Sequence, residues 1–394
     1  MKTACNPTAQ IQDRLLQRNE IIAEFFQREA THLAEACHEM ADRFLQRGRL
    51  LAFGRGSCAT DAQHVSVEFV HPVIVGKRAL PALDISTAFE PWLRAILKPE
   101  DIVMGFGPPE GDPEVEAALA WAHASDAMTF ALPGRSGSYA LQPVTQDPFI
   151  HQELVEIFYH TLWETVHVFL EHEELGQDVG QSEFLYPFLG QNKQDTSDIV
   201  QDVATSIRMK VEDDTRLRTQ LANEQGEQIA NTALAIHQRL SQGGRLLIFG
   251  NGGSATDAND WALDCILPPA GYRSIPAISF AMEPAILTAL ANDIGTDVIF
   301  LRQLIAHARP KDVAIGISTS GGSRNIVMAL EEARNRGLLT VALLGYDGGE
   351  IYRRGLADFP VIVLSDYIPR IQEVQASAYH VIRETLEALY RDQA

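Results

Sequence analysis

The residues of this chain best suited to chemistry are glycines and hydroxyls placed where a strand gives way to a helix. Leu246-Leu247-Ile248-Phe249 is an apolar run long enough for a buried strand. It ends in Gly250-Asn251-Gly252-Gly253-Ser254, and a helix-compatible stretch follows from Asp257 to Leu267. Glycines let backbone N–H groups approach an anion closely, and a helix N-terminus adds a favourable partial charge. A second such place is Gly316-Ile317-Ser318-Thr319-Ser320-Gly321-Gly322-Ser323, ahead of a helix beginning near Asn325. Its hydroxyls exceed what capping a helix requires, so the loop reads as a phosphate cradle at the carboxyl edge of a parallel sheet. The candidate phosphate-binding residues are therefore Asn251, Gly252, Ser254, Ser318, Thr319, Ser320 and Ser323.

The first of these loops has a twin. Leu50-Leu51-Ala52-Phe53-Gly54-Arg55-Gly56-Ser57-Cys58-Ala59-Thr60-Asp61-Ala62 repeats it in the first half, so the chain is a duplication. Leu80-Pro81-Ala82-Leu83 pairs with Ile275-Pro276-Ala277-Ile278, and Pro99-Glu100-Asp101-Ile102 with Pro310-Lys311-Asp312-Val313. Between matched blocks the first half is the shorter copy. The counterpart of the second loop is Gly107-Pro108-Pro109-Glu110-Gly111-Asp112, followed by Pro113. Its prolines remove N–H donors and its acids repel a phosphate.

The elements that must position these loops follow from periodicity. Residues Pro7 to Arg47 carry an apolar stripe at helical spacing, which Gly48 closes as the residue after the helix. Strands are expected at Leu50–Phe53, Ala79–Ile85, Asp101–Phe106 and Ala127–Leu132, with helices between them and a long helix from Pro148 to His172. The order recurs from a helix at Ile199–Leu240 through strands at Leu246–Phe249, Ile275–Phe280, Val313–Ile317, Thr340–Leu344 and Val361–Leu364 to a helix at Pro369–Arg391. Helices alternating with short apolar strands imply two tandem doubly wound parallel sheets, each flanked by helices and preceded by a helical arm. The expected domains are 1–172 and 198–394, joined by a polar, glycine-containing linker at 173–197 in which Phe184–Leu189 docks.

Composition narrows the function class. The 394 residues suffice for two full cores, and 46% apolar with 21% charged residues is globular usage. A formal net charge of −20 argues against a nucleic-acid or anionic-membrane surface, though not against a small anion held in a local nest of N–H groups. The four cysteines lack paired spacing, so neither a disulfide framework nor a thiolate metal site is suggested. No apolar run is long enough to cross a membrane and no leader is evident, which together point to the cytoplasm.

In the second half, Gly250-Asn251-Gly252-Gly253-Ser254, Leu287 to Asp293, Gly316 to Ser323, Gly345-Tyr346-Asp347-Gly348-Gly349 and Arg370-Ile371-Gln372-Glu373 follow in order. This succession resembles the sugar isomerase (SIS) fold, and within it the phosphoheptose isomerase branch. Members of that branch interconvert sedoheptulose 7-phosphate and glycero-manno-heptose 7-phosphate on the way to lipopolysaccharide heptose. The resemblance covers essentially all of 200–392 and is fainter over 8–172. It implies a metal, commonly zinc, on a His-x3-Glu pair after the first loop and a Gln-x7-His pair on the last helix. It also implies that the Glu and the second His shuttle a proton through an enediol. No nucleotide cofactor is implied.

Carried over residue by residue, these positions fall on His64, Glu68, Gln152 and His160 in the first half, all four holding the family residue. In the second half they fall on Asp260, Asp264, Gln372 and His380, so a shorter acid replaces the Glu and an acid replaces the first His. Asn292 and Asp293 match a substrate-loop pair. The family's Arg beyond the Glu is Pro72 in one half and Pro268 in the other, which opens the identity of the sugar. The expected site is composite: metal, Glu68 and His160 from the first half and the phosphate grip from the second. SIS modules assemble as tetramers, so a tandem chain is expected to be a homodimer. Two other readings stand beside this one. The chain could be a non-catalytic phosphosugar-sensing or protein-binding regulator, like the DnaA-initiator-associating protein, or an isomerase of another phosphosugar.

Overall fold

The computed structural model describes residues 7–73, 77–175 and 196–392. The chain opens with α1 (Pro7–Leu45), then β1 (Leu50–Gly54), α2 (Ala59–Val70), β2 (Ala82–Asp84), α3 (Phe89–Ile96), β3 (Ile102–Phe106), α4 (Pro113–His123), β4 (Met128–Leu132), β5 (Tyr139–Ala140) and α5 (Pro148–Leu175). It continues through α6 (Thr196–Ser241), β6 (Leu246–Gly250), α7 (Gly253–Ile266), β7 (Ala277–Ser279), α8 (Pro284–Asp293), α9 (Ile299–His307) and β8 (Val313–Ser318). It closes with α10 (Arg324–Asn335), β9 (Leu339–Gly345), α11 (Gly349–Arg353), β10 (Phe359–Val363) and α12 (Ile368–Asp392). Of the expected linker at 173–197, residues 176–195 lie outside the described residues, and with them Phe184–Leu189.

Two parallel sheets result, with strand orders β2-β1-β3-β4-β5 and β7-β6-β8-β9-β10. Element for element the orders are the same, as a duplication requires. In each, the chain leaves the first strand for a neighbour on one side and returns to the other side. The carboxyl ends of β1 and β3, and of β6 and β8, are therefore topological switch points, where open α/β sheets bind ligands. Strand alternation places Leu50 and Ala52 in one core and Leu51 and Phe53 in another. Leu246 and Ile248 divide in the same way from Leu247 and Phe249.

The compact units do not follow the repeat boundaries at the helical arms. One unit is Glu20–Thr215, and the other is Met1–Asn19 together with Arg216–Ala394. In the first, Phe25, Phe26 and Leu33 of α1 pack with Phe158 and Trp163 of α5 and with Val203 and Ile207 of α6. In the second, Ile11 and Leu15 of α1 pack with Ile236 of α6, Trp261 of α7 and Ile382 of α12.

Matched anchors fix the amino edge of each sheet. Arg49 Nη2 lies 2.7 Å from Asp101 Oδ2, and Arg245 Nη2 lies 2.8 Å from Asp312 Oδ2, both carboxylates being buried. Gly48 does not serve as the left-handed residue after α1; Arg47 takes that conformation, with φ 68°. A Cβ on Gly48 would stand 2.0 Å from the Glu100 carbonyl oxygen, so close approach is what requires glycine there. The second repeat divides the two tasks in the same way: Gly243 takes the left-handed turn at φ 83°, and a Cβ on Gly244 would stand 2.1 Å from the Lys311 carbonyl oxygen.

The shortened first repeat lacks counterparts of α8 and α11. One strand, β5, was not foreseen, because two residues offer no alternation to read.

Candidate functional site

In the second unit the two glycine-hydroxyl loops meet at the switch point. Gly250 can only be glycine, since a Cβ would stand 2.2 Å from the Ser254 carbonyl, and Gly252 turns the chain into α7 at φ 57°. Asn251 and Asn325 exchange amide hydrogen bonds of 3.0 and 2.9 Å, which clasp the first loop to the helix that follows the second. Ser318 Oγ accepts from Gly321 N at 3.1 Å and lies 3.5 Å from Ser323 Oγ. Ser320 Oγ accepts from Gly322 N at 3.2 Å. Ser323 caps α10 without a hydrogen bond from its hydroxyl to the helix. The second loop is braced from behind by α11, whose Ile351 N donates to Gly321 O at 2.9 Å. Ser318 and Ser254 are buried, Thr319 and Ser323 half-buried, and Asn251, Gly252 and Ser320 exposed. A floor of fixed donors under exposed hydroxyls suits an anion arriving from solvent.

The first unit closes the same place. Arg55, at the position of Asn251, lies 3.2 Å from Asp112 and 3.0 Å from Glu114, which stand at the positions of Ser323 and Asn325. The Asp112 carboxylate accepts from Glu114 N and Val115 N, capping α4. A carboxylate of the chain itself thus occupies the helix N-terminus that the other unit leaves without a side-chain cap. The expectation that this loop repels phosphate therefore has a specific geometry: its donors are already spent on Asp112.

Beneath the loops each unit gathers a buried titratable cluster. On α2 and α5, ligand atoms of His64, Glu68 and His160 all lie within 4.8 Å of one another, and all three residues are buried. His64 Nε2 is 3.3 Å from His160 Nε2 and 3.8 Å from Glu68 Oε1. Two imidazoles and one carboxylate converging on a common point are the donor set of a catalytic zinc that keeps a position open, so these residues fit that metal. On α7 and α12, Asp260, Asp264 and His380 converge likewise, with His380 Nε2 at 3.5 and 3.4 Å from the two carboxylates. Tyr379 donates to Asp260 Oδ2 at 2.8 Å and stacks on Trp261. Burial, and then the neighbouring Asp260, push Asp264 up to about 7.

Gln152 and Gln372 precede their histidines by eight residues, a little over two turns, and so share a side of α5 and α12 with them. Gln152 is half-buried, whereas Gln372 is buried with its Oε1 unbonded. Asn292 and Asp293 lie exposed at the end of α8, hydrogen-bonded to each other at 2.8 Å. Sequence reasoning missed the tyrosine next to each histidine, Tyr159 and Tyr379, although its recurrence in both repeats was a readable signal. It also missed Glu156, one turn from both Gln152 and His160 on α5. His151, at the start of that helix, is buried, and burial holds it down at about 4 against a smaller upward pull from the Gly107 backbone.

A family model described as the SIS domain matches residues 211–345. Over 182 residues the chain is 40% identical to a phosphoheptose isomerase of Citrifermentans bemidjiense, which covers 46% of this chain and 94% of that relative. A phosphoheptose isomerase of Geobacter sp. strain M21 is 41% identical over 190 residues, covering 48% of this chain and 96% of its own length. Among solved structures, the C-terminal domain of glucosamine-fructose-6-phosphate aminotransferase from Francisella tularensis superposes with a TM-score of 0.64. That likeness spans 99% of this chain and 97% of the other at 7% identity, and at that identity it shows the fold alone.

Proposed function

The chain belongs to the SIS-domain family, and from that premise we propose that it is an aldose–ketose isomerase of a phosphorylated sugar, with sedoheptulose 7-phosphate as substrate. The observation that carries the reading is the division of labour between repeats. The second keeps an open pair of hydroxyl-bearing loops, and the first keeps the convergent His64, Glu68 and His160. Asn251, Gly252, Ser254, Ser318, Thr319, Ser320 and Ser323 hold the phosphate, with Asn292 and Asp293 on the substrate side of α8. Glu68 removes the proton at C1 of the ketose and returns it at C2, while His160 moves the hydroxyl proton between the enediol oxygens. Zinc held by His64, Glu68 and His160, with Gln152 as the further position the family implies, would polarise the carbonyl.

The test is kinetic and binding measurement on a panel of ketose phosphates. Glu68→Gln and His160→Ala are expected to abolish isomerisation while phosphosugar binding survives; turnover that persists in either variant sinks the assignment. The substitution of Asp260 and Asp264 for the family's His and Glu supports a second reading, a non-catalytic phosphosugar-binding regulator. Metal analysis separates the two. Zinc that copurifies with the chain and is lost in a Glu68/His160 double variant supports the enzyme. The resemblance also supports a cytoplasmic homodimer, which sedimentation of the purified chain checks.

A further inference from the structure

Glu156 belongs to no role assigned so far, yet it lies on the most chemically loaded stripe of α5. Gln152, Glu156 and His160 follow one another at steps of four, so they share a face of that helix. Glu156 is buried, and its carboxylate lies within 4.8 Å of a ring nitrogen of His64. Two carboxylates of this unit thus lie near His64: Glu68 one turn away on its own helix, at 3.8 Å, and Glu156 on α5.

The repeat comparison shows that this is not incidental. Where α2 carries His64, α7 carries Asp260; where α5 carries Glu156, α12 carries the buried Ala376. The carboxylate that the first repeat lacks on α2 reappears on α5, so each repeat places two carboxylates beside a histidine. An imidazole N–H is a donor that His64 can offer a carboxylate of α5. A carboxylate on one imidazole nitrogen fixes the ring and its tautomer and makes the other nitrogen a better donor to a metal.

We propose that Glu156 is a positioning residue for His64, holding the ring in the tautomer that presents a lone pair toward Glu68 and His160. The proposal rests on the reading of His64 as a metal ligand, and the experiment keeps the two apart. The tautomer of His64 is read from imidazole nitrogen shifts in metal-free protein, and zinc affinity from chelator competition. Both are measured for wild type, Glu156→Ala, Glu156→Gln, His64→Ala and the Glu156/His64 double variant. In wild type one tautomer is expected. Glu156→Ala should mix the tautomers and weaken zinc about 10–100-fold, the usual cost of losing such a partner. Glu156→Gln, isosteric and still able to accept, should restore part of both and serves if the alanine variant does not fold. In the His64→Ala background the Glu156 change should add nothing. An unchanged tautomer in Glu156→Ala and Glu156→Gln overturns the proposal, as does a zinc effect that persists without His64. If His64→Ala leaves zinc binding intact, the metal reading falls, and the tautomer measurement still decides for or against Glu156.

Discussion

Asn251 with Asn325 in the second unit, and Arg55 with Asp112 and Glu114 in the first, occupy matching positions at the same switch point. The amide pair links the loops without charge and places no carboxylate at the helix N-terminus. The ionic group links them with charge and fills the helix N-terminus with a carboxylate. Below them the contrast inverts. The first unit holds two imidazoles and a carboxylate at the convergence point, the second a single imidazole between two carboxylates. In the proposed function, duplication lets grip and proton transfer separate, because the loops and the buried clusters lie on different helices of one sheet edge.

The sharpest way to break that comparison is to make the same kind of change in both clusters. Glu68→Gln is expected to lower kcat by about 10²–10⁴, the usual contribution of a general base. Asp264→Asn should leave kcat within a few-fold. Equal losses would show that the second cluster also does chemistry. Next in size, Ser318→Ala should raise KM for a phosphosugar about 10-fold or more, as loss of a hydrogen bond to a charged group does. Asp112→Ala in the first unit should leave KM as it was. Isothermal titration with inorganic phosphate tests the same contrast without turnover.

Acidity separates the units in opposite directions. Asp264 has a folded value raised to about 7, so its folded form holds a proton that the unfolded chain releases above its ordinary range. Its contribution to stability is full in acid and is lost as pH rises toward 7. His151, held down at about 4, has the reverse sense: its contribution is present above the ordinary histidine value and is lost as pH falls toward 4. Once the intrinsic pH dependence of amide exchange is divided out, protection of α7 and α12 peptides should therefore fall from pH 5 to 7, and that of α5 peptides from pH 6 to 4. Asp264→Asn should flatten only the former. The smallest effect concerns the ionic clasp. Arg55→Ala should cost at most about 1 kcal/mol in thermal unfolding, since Arg55 is well exposed.

Much of this was legible in the sequence, for identifiable reasons. The strands ending in Gly54 and Gly250 announced themselves because apolar runs and glycine turns are local signals, and the parallel doubly wound sheets followed from their alternation with helices. His64 and Glu68 were found because the family's His-x3-Glu pair falls on them, one turn apart on one helix. Glu156 was not, because its significance depends on a residue of another helix. The tyrosines were overlooked because an aromatic beside a core helix usually signals only packing. Gly48 was assigned the left-handed turn that Arg47 takes, since a carbonyl arriving from Glu100 leaves no trace near Gly48 in the chain. The compact units were hidden for the same reason: periodicity reports which face of α1 is apolar, not which core each of its turns enters.

That last feature bears on how the protein is made. Ile11 and Leu15 are made long before Ile382 and Leu386, yet all four enter one core. The opening turns of α1 thus wait until α12 has been synthesised before their apolar face is fully covered. A fragment covering only 198–394 would lack them, leaving Ile236 and Trp261 short of neighbours. The repeat is a unit of ancestry, whereas this compact unit draws on turns of α1 as well as on α12.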